Sequence, residues 1–460
     1  MVEASTGPAH PKLIIAAVST SLFCVQIDYF AMNLAVPRMS DDLSASATDL
    51  QWVISAYMLA LGALMVPGGR LGDMFGRRRV LLVGNALFGL ASVLCALAPS
   101  AELLIAGRVV QGAGAALIFP VSVSVLTNAF PPVRASHAIG LCYGIAGLGN
   151  AAGPLVGGLL TESLSWRAIF WLNVPLTVVA IVIGAIAITE SSDEQSPRRL
   201  DILGLALLTT GIAAFTLVFD RAPTWGWLSV STIALFVVTM VLLTGFVVAE
   251  NRVRWPLVDF ALARNPRFAV LVVAGTIANI AYAVTIFGST LYLQQARALD
   301  PIAAGIVFLG PSAGAAIGGP LSGWLAARFP PITVMGIGCV AAGVALAALT
   351  SVASWPVYVP ILSLCGFTMG LVYAFTTVAT QSVVRPDRAG EAAGITLTFL
   401  VTMAGVGVAV SSSSIEILEK HSLSSAAAID RVFLVLAVGL LVAGTVVLAM
   451  NRARISPPEG

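Results

Sequence analysis

The sequence predicts an all-α integral membrane protein with fourteen spanning helices, arranged as two six-helix bundles with two further helices inserted between them. Three observations predict it. The 460 residues are 58% hydrophobic and only 10% charged, against about 25% charged residues in water-soluble globules, and the mean hydropathy is +0.96. Fourteen apolar stretches run at 13–36, 50–68, 79–98, 102–126, 137–160, 168–188, 202–220, 228–249, 268–292, 302–324, 332–352, 357–381, 390–413 and 432–450, close to the ~20 residues that cross a bilayer. Two loop patterns also recur at a single offset, which divides the chain into homologous halves.

The first stretch is too long for a cleavable signal peptide, has no basic leader and carries Asp28, so it reads as a span. After the second stretch comes a short basic turn, Gly68 to Val80. Its copy lies 254 positions later, where Gly323, Leu325, Phe329, Val334 and Gly338 repeat Gly69, Leu71, Phe75, Val80 and Gly84. A second loop keeps the same offset: Pro132-x-Arg134-Ala135-x-x-Ala138-x-Gly140 returns as Pro386-x-Arg388-Ala389-x-x-Ala392-x-Gly394. Such repeats in a nearly all-apolar chain point to a transporter whose bundles rock around a central site.

Six helices and their loops occupy roughly 190 residues, so the offset of 254 leaves room for two more spans. The stretches 202–220 and 228–249 supply them. They are apolar on all faces, which excludes peripheral amphipathic helices, and polar segments from Glu190 to Arg199 and from Asn251 to Pro266 bracket them. The expected division is 1–190 for the first bundle, 191–266 for the inserted hairpin and 267–460 for the second bundle.

Charge sets the expected orientation. With a cytoplasmic N-terminus, seventeen Lys and Arg fall on the inner side: Lys12, Arg70, Arg77, Arg78, Arg79, Arg134, Arg198, Arg199, Arg252, Arg254, Arg264, Arg267, Arg328, Arg385, Arg388, Arg452 and Arg454. Six fall outside: Arg38, Arg167, Arg221, Arg297, Lys420 and Arg431. The positive-inside rule then puts both termini in the cytoplasm. The excess of Arg over Lys, 22 to 2, hints at a GC-rich bacterial genome and so at a bacterial plasma membrane.

Several chemistries find no support. The cysteines (Cys24, Cys95, Cys142, Cys339, Cys365) lie within apolar runs without paired spacing and read as packing residues. His10, His137 and His421 are scattered, so no metal, cofactor or catalytic cluster is expected. A nucleotide-binding loop needs a lysine after glycine, and the two lysines, Lys12 and Lys420, are not so placed. No nucleic-acid partner is expected. The expected partners are protons, membrane lipids and a small-molecule substrate, and a monomer is expected.

Ionisable groups deep in a bilayer are costly and usually functional. Two stand far from any predicted helix end. If the first helix ends near Pro37, Asp28 lies nine residues, ~13.5 Å, from that end. If the fourth begins near Ala101, Arg108 lies seven residues, ~10.5 Å, from the same surface. They therefore share a layer. Burial disfavours the charged form of a carboxyl and a guanidinium favours it, so motion of Arg108 relative to Asp28 would load or release a proton. A static pair that only fixes packing is the alternative, but apolar residues replace such pairs at little cost. In the repeat Asp28 maps to Tyr282 and Arg108 to Leu362, which confines the proton chemistry to the first half.

Two further patterns stand out. Gly149, Gly153 and Gly157, followed by Gly158, give the fifth stretch a smooth stripe against which another helix can close, and Pro154 permits a bend. Asp73 is an acid on the positive side, among Gly69, Gly72 and Gly76 and before Arg77 and Arg78. It is expected against the N-terminus of a neighbouring helix, where the macrodipole favours an anion, as a latch on one conformation. A solvated basic turn is the alternative.

At these segments the chain resembles the major facilitator superfamily, and within it the fourteen-helix drug:proton antiporters. Ile27-Asp28-Tyr29-Phe30-Ala31-Met32-Asn33-Leu34-Ala35-Val36-Pro37 resembles that group's first-helix signature. Gly69-x-Leu71-x-Asp73-x-x-Gly76-Arg77-Arg78 is similar to the superfamily's loop motif after the second helix. Leu104-x-x-x-Arg108-x-x-Gln111-Gly112 resembles the fourth-helix motif associated with proton coupling. Gly149-x-x-x-Gly153-Pro154-x-x-Gly157-Gly158 resembles the fifth-helix motif of antiporters rather than symporters. Ser165-Trp166-Arg167, Phe170 and Asn173-Val174-Pro175 follow the group's pattern entering the sixth helix. The chain departs from the pattern at Tyr29-Phe30, where a small hydroxyl residue and an aliphatic are commoner. It departs again in the second copy of the loop motif, where Asp73 and Gly76 become Ala327 and Pro330, so any latch is asymmetric.

The resemblance implies proton-coupled export of an amphipathic small molecule, such as an antibiotic or dye, from a cavity formed by helices of both halves. Met32, Tyr57, Phe119, Asn150, Asn279, Tyr282 and Tyr373 are the candidate lining residues, since aromatic and thioether surfaces accept varied ligands. One proton crossing 100 mV and one pH unit releases about 2.3 plus 1.4 kcal/mol, enough for a gradient of several hundredfold. The alternative is a symporter or facilitator importing a small metabolite, against which the fifth-helix motif argues.

Overall fold

The computed structural model describes residues 10–32, 35–45, 47–193, 201–253, 262, 264–293, 301–326, 328–352 and 354–452. Asn33, Leu34, Arg198, Arg199, Arg254, Arg297, Ala327 and Arg454, named above, lie outside them, as do the side chains of Pro37, Pro132, Pro154 and Gly323. The described residues are helical apart from turns and short connections, and the chain divides into two compact units. The first holds residues 1–200 with 384–397, and the second 201–383 with 398–460. The inserted helices thus pack into the second unit, and a short segment from late in the chain packs into the first.

The first unit contains α1 (Pro11–Ala31), α2 (Val36–Leu43), α3 (Ala47–Phe75), α4 (Arg77–Ala96), α5 (Ala101–Ala129), α6 (Pro132–Ser163) and α7 (Arg167–Ala187). Several helices run past the apolar stretches, and one boundary bears on the site. The first helix ends at Ala31 rather than near Pro37, and Val36–Leu43 forms a separate short helix closed by Ser44 in the left-handed region at φ 50°. The apolar run continues through that break, so hydropathy alone did not mark it. Asp28 therefore lies three residues from its helix end. It stays buried because an apolar cluster of Met32, Met39, Leu50, Val53, Leu104, Trp166 and Phe170 closes over that end.

α5 is the central helix, with 78% of its apolar window buried, and it packs on α3, α4, α6 and α1. Ser100 caps it by accepting from Leu103 N–H at 3.4 Å, a donor the helix itself leaves unpaired. Between α3 and α4 the chain reverses at Gly76, whose φ of 111° excludes most side chains. α6 is bent by 42° between Val133–Asn150 and Leu155–Ser163, about the position of Pro154.

The second unit contains α8 (Ile202–Trp225), α9 (Val230–Glu250), α10 (Pro266–Leu291), α11 (Pro301–Ala326), α12 (Pro331–Leu349), α13 (Trp355–Gln381), most of α14 (Ala389–Lys420) and α15 (Ser425–Arg452). α8 and α9 form the inserted hairpin. Each is capped at its start, by Asp201 on Gly204 N–H at 3.0 Å and by Ser229 on Thr232 N–H at 3.2 Å. Only 22% and 17% of their windows are buried, so both helices are peripheral. Trp227, in the turn between them, donates to Ser413 of α14 at 2.8 Å.

Among the described residues twelve helices are long and apolar enough to cross a membrane, or thirteen when bent α6 is one span. The expected stretch at 302–324 is helical as α11 but is not among those thirteen.

Candidate functional site

The first unit holds two buried polar networks, one at each end of its helices. Asp28 of α1 and Arg108 of α5 form the first. Both side chains are 0% exposed, and Arg108 Nη1 donates to Asp28 Oδ2 at 2.6 Å. The other oxygen, Oδ1, accepts from Gln111 Nε2 at 3.1 Å and from Asn173 Nδ2 of α7 at 2.7 Å. Gln111 also accepts from Arg108 Nη1 at 2.6 Å and donates to Ser92 of α4 at 2.9 Å. Arg108 Nε donates to the Val53 carbonyl of α3 at 3.0 Å, and its guanidinium lies 4.1 Å from the centre of the Tyr57 ring. Tyr29 stacks on Tyr57 with ring centres 6.1 Å apart. Two helices besides α1, namely α5 and α7, thus bond to one carboxylate, and α3 and α4 hold its partners.

A charge taken out of water is tolerated when its partner and its remaining lone pairs are satisfied together. Asp28 meets that condition through one guanidinium and two amides. Two atoms beside it do not: Arg108 Nη2 and Tyr57 Oη are buried without a hydrogen-bond partner. Unmet groups of this kind mark strain, function or a place for a bound water.

The second network surrounds Asp73, 1% exposed, near the end of α3. Arg77 donates to its Oδ1 through Nη2 at 2.8 Å and Nε at 3.0 Å, and Ser124 of α5 donates to the same oxygen at 3.1 Å. Oδ2 accepts from the backbone N–H of Glu391 at 3.0 Å, in the first turn of α14. Arg77 Nη2 also reaches the Asp387 carbonyl at 3.0 Å, and Asn128 reaches that of Pro386, also at 3.0 Å. An acid on a helix start pairs with both the macrodipole and an orphan amide. Gly69 permits the approach: a methyl group there would strike the Gly390 carbonyl, and one at Gly390 would meet Asp73 Oδ2 at 2.6 Å.

Arg78 has a different role from Arg77. Its Nη2 donates to the Ala185 carbonyl at 2.5 Å, while the backbone N–H groups of Arg78 and Arg79 donate to Glu190 at 3.1 and 3.2 Å. Glu190 caps α4 from beyond the end of α7. Glu190 and the polar partners Gln111, Asn173 and Ser92 were not among the candidate site residues, although Gln111 and Asn173 stand in the motifs given above.

The glycine stripe of α6 faces α1. Added methyl groups would meet the Phe23 carbonyl at 2.9 Å from Gly149, the Phe30 Cβ at 2.5 Å from Gly153, and the Ala31 backbone from Gly157. Gly158 is partly exposed. Of the candidate lining residues, Met32 is 0% exposed within the apolar cluster, Phe119 is 4% exposed, and Tyr57 lies on Arg108. Asn150, Asn279, Tyr282 and Tyr373 are partly exposed, and Asn279 donates to the Leu400 carbonyl at 2.7 Å.

A third cluster ties the connections. Asp42 of α2 pairs with Arg167 and accepts from Trp166 Nε1 at 3.1 Å, and Arg167 also reaches the Ala98 carbonyl at 3.1 Å. The Arg167 hydrogen bond, then that of Trp166, holds the Asp42 carboxyl below the usual carboxylate range.

Twelve or more apolar helices and an ion-paired network wholly inside one bundle define a multi-pass membrane protein of the carrier type. Comparison with known proteins gives the family. The chain belongs to the Major Facilitator Superfamily, whose profile matches residues 18–410. That family comprises transporters, not enzymes. The chain is similar to the tetracenomycin C resistance and export protein of Streptomyces glaucescens, 31% identical over 393 residues, 85% of this chain and 72% of that one. It is similar to the multidrug resistance protein Stp of Mycobacterium tuberculosis, 32% identical over 389 residues, 83% and 72% of the two chains. Among solved structures the human organic anion transporter MFSD10 (TETRAN) has the same fold, with a TM-score of 0.69 at 14% identity over 95% of this chain and 99% of that one.

Proposed function

We propose that this transporter is a fourteen-span proton-coupled antiporter that exports amphipathic small molecules by alternating access across a bacterial plasma membrane, with both termini cytoplasmic. One observation carries the proton reading: a fully buried carboxylate, Asp28, held by Arg108, Gln111 and Asn173 from two other helices. When Asp28 takes a proton it ceases to balance Arg108, and the guanidinium turns to other acceptors. Tyr57 Oη and Arg108 Nη2, which lack partners, are the groups that would exchange partners during that step. Export is supported by the relatives, whose names are those of resistance and export proteins, and by the α6 stripe. The fourteenth span is α11.

Asp73 is the proposed latch, with Gly69, Gly76, Arg77 and Arg78. It holds the first turn of α14 through a hydrogen bond that vanishes once that turn moves away. Substrate contact is assigned to Met32, Tyr57, Phe119 and Asn150 in the first unit and to Asn279, Tyr282 and Tyr373 in the second. The proposed division is residues 1–190, 191–266 and 267–460. The test is uptake of a dye such as ethidium into inverted vesicles. An imposed pH gradient should drive it at least tenfold above the rate without one, and uptake indifferent to the gradient ends the antiport reading.

A further inference from the structure

We propose a second ligand site, lying wholly in the second unit, that takes a small organic cation with one aromatic ring. A cavity of about 240 Å³ opens where α12 ends and α13 begins, walled by Tyr292, Tyr358, Phe433 and Asp430 among others. Tyr292 and Tyr358 stack with ring centres 5.1 Å apart at 27°. Tyr358 is fixed by its hydroxyl, which is 3.3 Å from Ser289 Oγ. Asp430 is half-buried and makes no hydrogen bond or ion pair with a described residue.

The internal repeat makes the cavity informative. At the offset of 254, the wall residues Leu349, Thr350, Val352 and Tyr358 correspond to Cys95, Ala96, Ala98 and Leu104. Those four belong to the closed apolar cluster of the first unit. On the facing wall Ala426, Ile429 and Asp430 of α15 share one helix face at i, i+3 and i+4. The wall whose counterpart is packed shut in the first unit thus borders an open recess that carries a carboxylate in the second.

A recess of this size leaves its apolar walls without packing partners, and a half-buried carboxylate with no partner among the described residues is only partly compensated by water. Both costs are relieved by a cation that fills the space. Aromatic faces attract ammonium groups, quaternary ones included, and the carboxylate supplies the countercharge. An anion would be repelled, and a neutral ligand would leave Asp430 unpaired. The volume falls short of the roughly 300–1,000 Å³ that encloses drug-sized ligands, so the ligand is an ammonium head with one ring. The inference stands apart from the proton reading, since Asp28 lies in the other unit.

The test uses phenyltrimethylammonium as probe, titrated calorimetrically into the purified full-length chain in lipid nanodiscs. Saturable binding is expected, at least tenfold tighter than that of the uncharged isostere tert-butylbenzene. Asp430→Asn should weaken it at least tenfold, Ala426→Trp should abolish it by refilling the cavity, and Asp430→Glu should retain it. Asp28→Asn should leave it unchanged, which separates this site from the proton site. The proposal is overturned if the wild-type chain does not bind the probe, if Asp430→Asn and Ala426→Trp bind it normally, or if Asp28→Asn abolishes binding. Should Asp430→Asn fail to fold, Ala426→Trp and Tyr358→Leu, each with an unaltered gel-filtration profile, decide the matter.

Discussion

Asp73 accepts a hydrogen bond from the backbone amide of Glu391, 318 positions further along the chain, at 3.0 Å. The contact joins the end of α3 to the first turn of α14 and uses a donor that helix geometry leaves over. Asp73→Asn keeps the shape but removes the charge that Arg77 and the helix start both favour. Amide exchange over residues 389–392 should rise about tenfold, as expected from the loss of ~1–3 kcal/mol when a charged hydrogen bond is removed. Unchanged exchange there would refute the latch. Gly69→Ala should act alike by pushing against Gly390, although it leaves Asp73 in place.

Asp28→Asn retains an acceptor for Arg108, so the protein should still assemble, while gradient-driven transport falls by more than tenfold. Counterflow without a gradient should survive. Normal active transport by this variant would remove Asp28 from the mechanism.

Arg108→Lys is not conservative here. One ammonium cannot serve the Val53 carbonyl, Gln111 and Asp28 from the positions of a guanidinium fork. Arg108→Ala leaves the Asp28 charge buried without its partner, at about 3–5 kcal/mol. Thermal unfolding in detergent should show a lower midpoint for both, with Ala the worse. Equal midpoints for Lys and wild type would contradict the described geometry.

Acid should loosen the Asp42 clasp. Its pKa is lowered in the folded chain, so the unfolded chain binds the proton more tightly. The stabilisation is present above the unfolded value of about 3.9, and it is lost as the pH falls below that through the folded value. Asp42 is half-exposed, so the contribution is modest, about 0–1 kcal/mol. Asp42→Asn should lower the unfolding midpoint slightly at pH 7, and the difference should shrink steadily as the pH falls below about 3.9. A difference that does not shrink in acid would mean that something other than the ion pair holds α2.

The sequence led to Asp28 and Arg108 because charge inside an apolar run is costly enough to be conspicuous, although the depth reckoned for Asp28 assumed a helix end six residues too late. It did not lead to Gln111, Asn173 or Ser92. Neutral amides and hydroxyls are common in spanning helices, where they bond to their own backbone, as Thr177 does to the Asn173 carbonyl at 3.0 Å. Which of them turn toward a carboxylate is decided by helix rotation, and hydropathy does not record rotation. The end of α1 at Ala31 was hidden for a related reason, since the hydropathic run reaches Val36 and does not record where the helix stops. Glu190 lay beyond the last apolar stretch of the first half, where nothing local marks an acid as a cap. The repeat at 254 located the loop at 386–394, but not its packing with the first unit.

Gly157 should tolerate no larger side chain, since even a methyl group meets the Ala31 backbone. Gly157→Val should cut transport at least tenfold, whereas Gly158→Ala, partly exposed, should not. Transport at the normal rate by Gly157→Val would show that the two helices separate freely.

The spacing of the α6 stripe along α1 has a wider consequence. Gly149 rests beside Phe23 and Ile27, Gly153 beside Phe30, and Gly157 beside Ala31, three residues past Asp28. The bare edge of one helix therefore acts as a gauge that sets how far the acidic residue can slide or tip. Selection on those glycines and selection on the acid then act on a single mechanical part, and exchanging either α1 or α6 with a relative should succeed only when both are moved together.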